Sequence, residues 1–166
     1  RVAFAGALRG DAIAMTTELR MLALSIGLGF VHIILASHAK SSVYGYRWSA
    51  GPRDQGMPPP RVPGRLERAL RNFGETFPLF AAAVLIAHAA DRHGAFTVWG
   101  AQLYFWARVA YLPLYAFGVP LVRSLVWNVA AAGIFLVLLA FFEGPTIACR
   151  PTYIEAVPKA DHVADR

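Results

Sequence analysis

The stretch RLERALRNFGETFP, residues 65–78, places four polar residues at spacings of 0, 3, 4 and 7: Arg68, Arg71, Asn72 and Glu75. Residues spaced in this way lie on one face of an α-helix. The apolar residues that follow predict that this helix enters a membrane, where an ionised side chain at the centre costs about 2.5–3.5 kcal/mol. A polar face of mixed sign at such a position predicts a bound partner that itself carries both signs of charge.

The composition of the 166-residue chain is too apolar for an ordinary soluble domain, with 57% hydrophobic residues, 16% charged residues and a mean hydropathy of +0.45. A helix needs about 20 mostly apolar residues to cross the hydrocarbon core of a bilayer. Charged residues divide the chain into segments of roughly this length. The sequence therefore predicts an all-α, integral membrane four-helix bundle with spans at about 19–39, 72–90, 96–122 and 124–142.

Positive charge is concentrated between the first two predicted spans, where segment 40–71 contains Lys40, Arg47, Arg53, Arg61, Arg65, Arg68 and Arg71. Because Lys and Arg collect on the cytoplasmic side of membranes, this loop is predicted to be cytoplasmic. With an even number of spans, both termini face outward, across a bacterial inner membrane. We expect no nucleic-acid partner, since these arginines alternate with Pro and Gly and lead into a helix that enters lipid.

Both ends of the chain are predicted to lie outside the membrane domain at 17–142. Residues 1–16 are interpreted as an N-terminal extension because Met15 offers a start before the first span; a signal peptide is the alternative, although charges interrupt its apolar run. Residues 143–166 contain prolines and mixed charges, which predicts a flexible tail. The single cysteine, Cys149, lies there, so the sequence predicts neither an intrachain disulfide nor a cysteine metal site.

A second polar stripe lies in the third predicted span, where Arg108, Tyr111 and Tyr115 are spaced 0, 3 and 7. An arginine inside a span needs a partner. Glu75 is the expected partner, because a short connection makes the second and third spans antiparallel and places the two residues at similar depth. Such a pair either locks two helices together or belongs to a binding site. The second interpretation is favoured because more positive charge lies at the same end, from Arg68, Arg71 and Arg123.

Two motifs, ERALRNFGETFP at 67–78 and ARVAYLPLYAFGVPLVRSL at 107–125, resemble the membrane-associated proteins of eicosanoid and glutathione metabolism. The resemblance covers residues from about 17 to 142. It implies a homotrimer in which glutathione, the expected cofactor, binds between neighbouring subunits near the cytoplasmic face. It also implies a lipophilic small-molecule substrate that enters from the lipid bilayer.

The same resemblance implies roles for individual residues. Those aligned with glutathione ligands are Arg68, Arg71, Asn72, Glu75, Arg108, Tyr111 and Tyr115, and the pair at the thiol, interpreted as catalytic, is Arg123 and Ser124. A thiol reacts as its thiolate, and a neighbouring guanidinium lowers the thiol pKa from its usual ~8.5, which is the role expected of Arg123. Tyr111 stands where one branch of the family has histidine, and Trp127 replaces a tyrosine, so the substrate is not carried over.

The expected function is that of a membrane glutathione-dependent transferase or peroxidase-like protein, whose thiolate attacks lipophilic electrophiles or reduces hydroperoxides. The alternative is a non-catalytic protein of the same fold that binds a lipid or modulates a partner. A proton-coupled transporter is a third possibility, against which the many arginines near Glu75 argue. No metal site is expected.

Overall fold

The computed structural model describes residues 15–52 and 60–142, and all regular secondary structure in these ranges is α-helical. The helices are α1 (Thr17–Tyr44), α2 (Tyr46–Ala50), α3 (Arg61–Ala89), α4 (Ala95–Phe117) and α5 (Pro120–Leu139). The all-α prediction is therefore confirmed, although the described residues form five helices instead of four. The predictions for residues 1–14 and for the tail at 143–166 fall outside the described residues.

The additional helix, α2, arises from a glycine at the end of α1. Thr16 caps the start of α1 by accepting a hydrogen bond from the backbone N–H of Leu19. At the other end Gly45 has a φ of 83°, in the left-handed region where a side chain would be strained, and the chain turns there into α2. Part of the predicted basic loop is thus helical, and α3 also begins before the predicted span, at Arg61.

A second glycine divides the predicted segment 96–122, because α4 ends at Phe117. Gly118 adopts a left-handed conformation (φ 77°, ψ 33°), and its N–H donates to the carbonyls of Leu114 and Tyr115. Such a turn closes a helix by satisfying carbonyls that have no partner within it. Pro120 then opens α5, a position where its fixed φ fits and its missing N–H costs nothing. The boundary differs from the prediction because hydropathy does not register a turn between two apolar helices.

The four long helices pack so that α4 contacts α1, α3 and α5, and α3 also contacts α1 and α5. The core is made of small and aromatic side chains, and the rings of Phe80 and Tyr104 stack at 3.9 Å between α3 and α4. The α4–α5 pair approaches closely at Gly100 and Gly133, where a Cβ on either glycine would lie 2.6–2.7 Å from the carbonyl oxygen of the other. Small residues permit this backbone contact between helices, as is common in membranes.

Two described helices, α1 and α5, are long and apolar enough to cross a membrane. Most of each is exposed in the single chain, including large side chains such as Phe30 (61%), Leu125 (65%) and Phe135 (66%). Apolar surface of this extent is expected to face lipid or another protein surface rather than water. Crossing by the more polar helices α3 and α4 stays a prediction.

We expect Gly133→Ala to destabilise the protein by about 1–3 kcal/mol, because the added methyl group forces the α4–α5 backbones apart. Its Cβ would lie 2.7 Å from both the Gly100 carbonyl oxygen and the Tyr104 nitrogen. Thermal unfolding in detergent measures the effect. Gly27→Ala in α1 is the matched control, since nothing lies within 4 Å of that Cβ. Equal unfolding temperatures for the two variants would show that the close approach does not hold these helices together.

Candidate functional site

A groove with a volume of about 210 Å³ lies between α3, α4 and α5, close to the α4–α5 turn. It is lined by Asn72, Tyr111, Tyr115, Arg123, Ser124, Trp127 and Asn128. Five of the nine residues predicted from the sequence are therefore brought together, although they come from three helices. The turn at Gly118 makes this possible because it folds the start of α5 back along the end of α4.

Arg123 is held in the groove by an aromatic ring. Its guanidinium carbon lies 4.6 Å from the ring centre of Tyr115, and the Tyr115 ring is in turn 5.4 Å from that of Tyr111. A guanidinium over a ring face gains electrostatic energy, and its several N–H donors remain able to bind an anion. The arrangement gives the groove a positioned positive charge.

Arg108 lies behind the groove, 1% exposed, and contacts neutral partners. One of its terminal nitrogens donates to Asn72 Oδ1 at 2.7 Å and the other to Thr76 Oγ1 at 2.6 Å. Its guanidinium carbon also lies 5.3 Å from the Tyr111 ring centre. No carboxylate pairs with Arg108 among residues 15–52 and 60–142, so its charge adds positive potential beneath the groove.

The prediction that Glu75 pairs with Arg108 is wrong. Asn72 and Thr76 are four residues apart and share the face of α3 that meets α4. Glu75 precedes Thr76, so at 3.6 residues per turn it is rotated by about 100° from it, and its side chain is exposed.

The bond from Arg108 determines which atoms of Asn72 face a ligand. Arginine has no acceptor, so the Asn72 atom that it binds must be the oxygen, and the amide NH₂ is left to donate into the groove. The polar side chains of α5 offer acceptors to a ligand instead of donors. Ser124 donates its proton to the Pro120 carbonyl at 3.2 Å, and the Asn128 NH₂ donates to the Ser124 carbonyl at 2.9 Å. The side-chain oxygens of Ser124 and Asn128 are therefore left as acceptors.

Three predicted residues, Arg68, Arg71 and Glu75, do not line the groove and are exposed on α3. Conversely, the groove includes Trp127, which stands out in the sequence only as the replacement of a family tyrosine, and Asn128, which the sequence does not single out. The spacing of Ser124 and Asn128, four residues apart in an otherwise apolar helix, is a signal that would have found this polar face.

A second cavity of about 240 Å³ lies between α1, α2 and α3 and contains none of the predicted site residues. Its charged groups neutralise each other, since Lys40 Nζ lies 2.6 Å from Glu67 Oε1. The described part of the chain also contains no cluster of His, Cys, Asp or Glu placed to hold a metal ion. The α3–α4–α5 groove is accordingly the candidate site.

We expect Asn72→Leu to destabilise the protein by about 1–3 kcal/mol, because it leaves a buried donor of Arg108 without an acceptor. Asn72→Asp keeps that acceptor and adds the opposite charge, so it should unfold at or above the wild-type temperature. Thermal unfolding in detergent checks both, with Asn128→Leu as the exposed control. If Asn72→Leu unfolded like the wild type, the Arg108–Asn72 bond would not be part of the stable core.

The model of the MAPEG family matches residues 21–142, a region that contains nearly all of α1 and every residue of the groove. A search of curated proteins found no match. A search of solved structures likewise found none. Since the matched region is well over half of the chain, and two of its helices are long and apolar enough to cross a membrane, this is a membrane protein that belongs to the MAPEG family, the family of glutathione and eicosanoid metabolism.

Proposed function

We propose that the protein is an integral membrane, glutathione-dependent transferase or peroxidase-like enzyme that holds its thiol cofactor in the α3–α4–α5 groove. The observation that carries the proposal is the distribution of donors and acceptors in the groove. Arg123, the Asn72 amide and two phenols offer donors, whereas Ser124 and Asn128 offer acceptors. Glutathione, with its carboxylates, ammonium and thiol, needs both kinds of partner.

When bound, glutathione supplies the nucleophilic thiolate. The residues of the groove favour that ionised form, because Arg123 brings a positive charge and Arg108 adds a second one behind Asn72. One neighbouring guanidinium lowers a thiol pKa from its ordinary ~8.5 by about 1–3 units. Ser124 can only accept from the neutral thiol, since its own proton is used by Pro120, so it orients the thiol and opposes part of this shift. Charge stabilisation is therefore assigned to Arg123 and orientation to Ser124.

The proposal also assigns a role to three exposed residues of α3, Arg68, Arg71 and Glu75: they bind glutathione held by a neighbouring subunit. Three charged groups on an outer helix face at a membrane boundary are costly unless a ligand or another subunit covers them. A homotrimer, in which α3 of one copy faces the groove of the next, would bring these charges to the remaining carboxylate and ammonium groups of glutathione. The large apolar area left exposed on single helices supports such an assembly.

The proposed orientation places the groove toward the cytoplasm of a bacterial inner membrane, with both termini outside. The end of α4, the start of α5 and the basic start of α3 lie at one end of the molecule, as the contact between Arg65 and Ala116 requires. Basic residues favour the cytoplasmic side, where thiols are also kept reduced. A lipophilic substrate would reach the groove from the bilayer.

A non-catalytic role in lipid binding is the second candidate, and one observation favours it. A hollow of about 180 Å³ lies on the outer face of α4 and α5, lined mostly by apolar residues that include Trp99, Leu103, Trp106 and Val129. Such a surface fits an acyl chain. It offers no account, however, of the charged groove at the α4–α5 turn, so the enzyme is preferred.

We expect glutathione bound to the wild-type protein in detergent to ionise about 1–3 pH units below the usual ~8.5 of a free thiol. Arg123→Ala should move the titration back toward ~8.5, because it removes one of the two positive charges that stabilise the thiolate. The ultraviolet absorbance of the thiolate against pH measures both. Arg20→Ala, which removes an exposed arginine near the start of α1, is the control and should titrate like the wild type. An absence of binding at millimolar glutathione would reject the enzyme and favour lipid binding.

The exposed charges on α3 should act on binding more than on chemistry. We expect Arg71→Ala and Glu75→Gln to raise the KM for glutathione roughly tenfold or more, since a hydrogen bond to a charged group is worth about 1.5–3 kcal/mol. Arg123→Ala should mainly lower kcat, because its charge matters most when the thiol ionises. Steady-state kinetics with a lipophilic electrophile separates the two effects. If all three variants raised KM and lowered kcat by the same factors, these roles would be contradicted.

A further inference from the structure

Arg65 lies on α3, and its side chain reaches across to the end of a different helix. One terminal nitrogen donates to the carbonyl oxygen of Ala116 at 3.2 Å. The last carbonyls of α4 have no partner within the helix, and the N–H groups of the following turn bind Leu114 and Tyr115 but not Ala116. Arg65 therefore caps one of the remaining carbonyls, at the helix end where a positive charge is favoured.

The guanidinium of Arg65 also occupies the space beside Gly118. A Cβ at Gly118 would lie 2.5 Å from the central carbon of Arg65 and 2.6 Å from each of its terminal nitrogens. Gly118 in addition has a φ of 77°, which disfavours any side chain. The turn thus needs glycine for its backbone conformation, and a side chain at this position would in addition displace the Arg65 guanidinium.

The same turn determines where Arg123 lies. The end of α4 contains Tyr115 and Ala116, and Gly118 forms the turn that follows. Arg123 comes five residues after Gly118, near the start of α5. The contact of Arg123 with the Tyr115 ring, at 4.6 Å, therefore depends on the path of the chain through the turn that Arg65 binds. Arg65 itself does not line the groove.

We propose that Arg65 is a positioning residue: by binding Ala116 and packing on Gly118, it holds the α4–α5 turn so that Arg123 stays over Tyr115 and faces the groove. The consequence for a bound thiol rests on the function proposed above for Arg123. A purely structural role would instead stabilise the helix end without a specific effect on Arg123.

A double-mutant cycle separates the two roles. Arg65→Gln in the wild-type background should lower the thiolate-to-thiol ratio of bound glutathione at a given pH by about three- to tenfold, the change expected for a pKa rise of about half a unit to one unit. In the Arg123→Ala background the same substitution should have no further effect, because its target is already missing. Equal reductions in both backgrounds would overturn the proposal. Arg61→Gln, an exposed arginine on the same helix, is the control.

Amide hydrogen exchange of the free protein, read by mass spectrometry, tests the turn without any ligand. Arg65→Gln should speed exchange in peptides that cover residues 114–124, and Gly118→Ala, which fills the space that Arg65 occupies, should do the same. Arg61→Gln should leave these peptides unchanged. If glutathione gave no thiolate while Arg65→Gln still loosened the turn, the proposed function would fail and the positioning of the turn would stand. Unchanged exchange in Arg65→Gln would overturn the positioning role.

Discussion

The guanidinium of Arg108 is buried between α3 and α4, where Asn72 and Thr76 bind its two terminal nitrogens. Burying a charge is costly, and the cost is bearable only when the groups around it are bonded to it. This requirement sets the rotation of α3 against α4, because both acceptors must point at one side chain. It also commits the Asn72 oxygen to Arg108, so that the amide NH₂ is the part left to bind a ligand in the groove. The polarity of the candidate site therefore follows from a contact that lies behind it.

Close packing of α4 and α5 supplies the other wall of the groove. Gly100 and Gly133 allow the two backbones to touch, and Gly118 allows the chain to reverse within a few residues. Because the two helices are joined so tightly, Arg123 at the start of α5 lies over Tyr115 at the end of α4. The positive charge of the groove is thereby built on helices, which under the proposed function suits a site that stabilises a thiolate.

Charge is distributed unevenly around α3, and this links the site to assembly. The side of α3 that meets α4 carries neutral partners for Arg108, whereas the outer side carries Arg68, Arg71 and Glu75. Under the proposed function, the outer charges meet glutathione on a neighbouring copy, so binding and trimer formation would depend on each other. The helix would then serve two sites, with a different face turned toward each.

The sequence by itself determined the helical class and the membrane character, since hydropathy and helical period are local properties. Its resemblance to a family also grouped Asn72, Tyr115 and Arg123 into one candidate set, and these three line one groove. The sequence did not determine that Arg108 binds Asn72 and Thr76 in place of Glu75. Successive helical residues differ by about 100° in direction, so one step in sequence changes the partner completely, and the rotation of a helix is set by packing against its neighbours. The break at Gly118 and the inclusion of Asn128 in the groove were likewise decided by tertiary structure, because both depend on how α5 folds back onto α4.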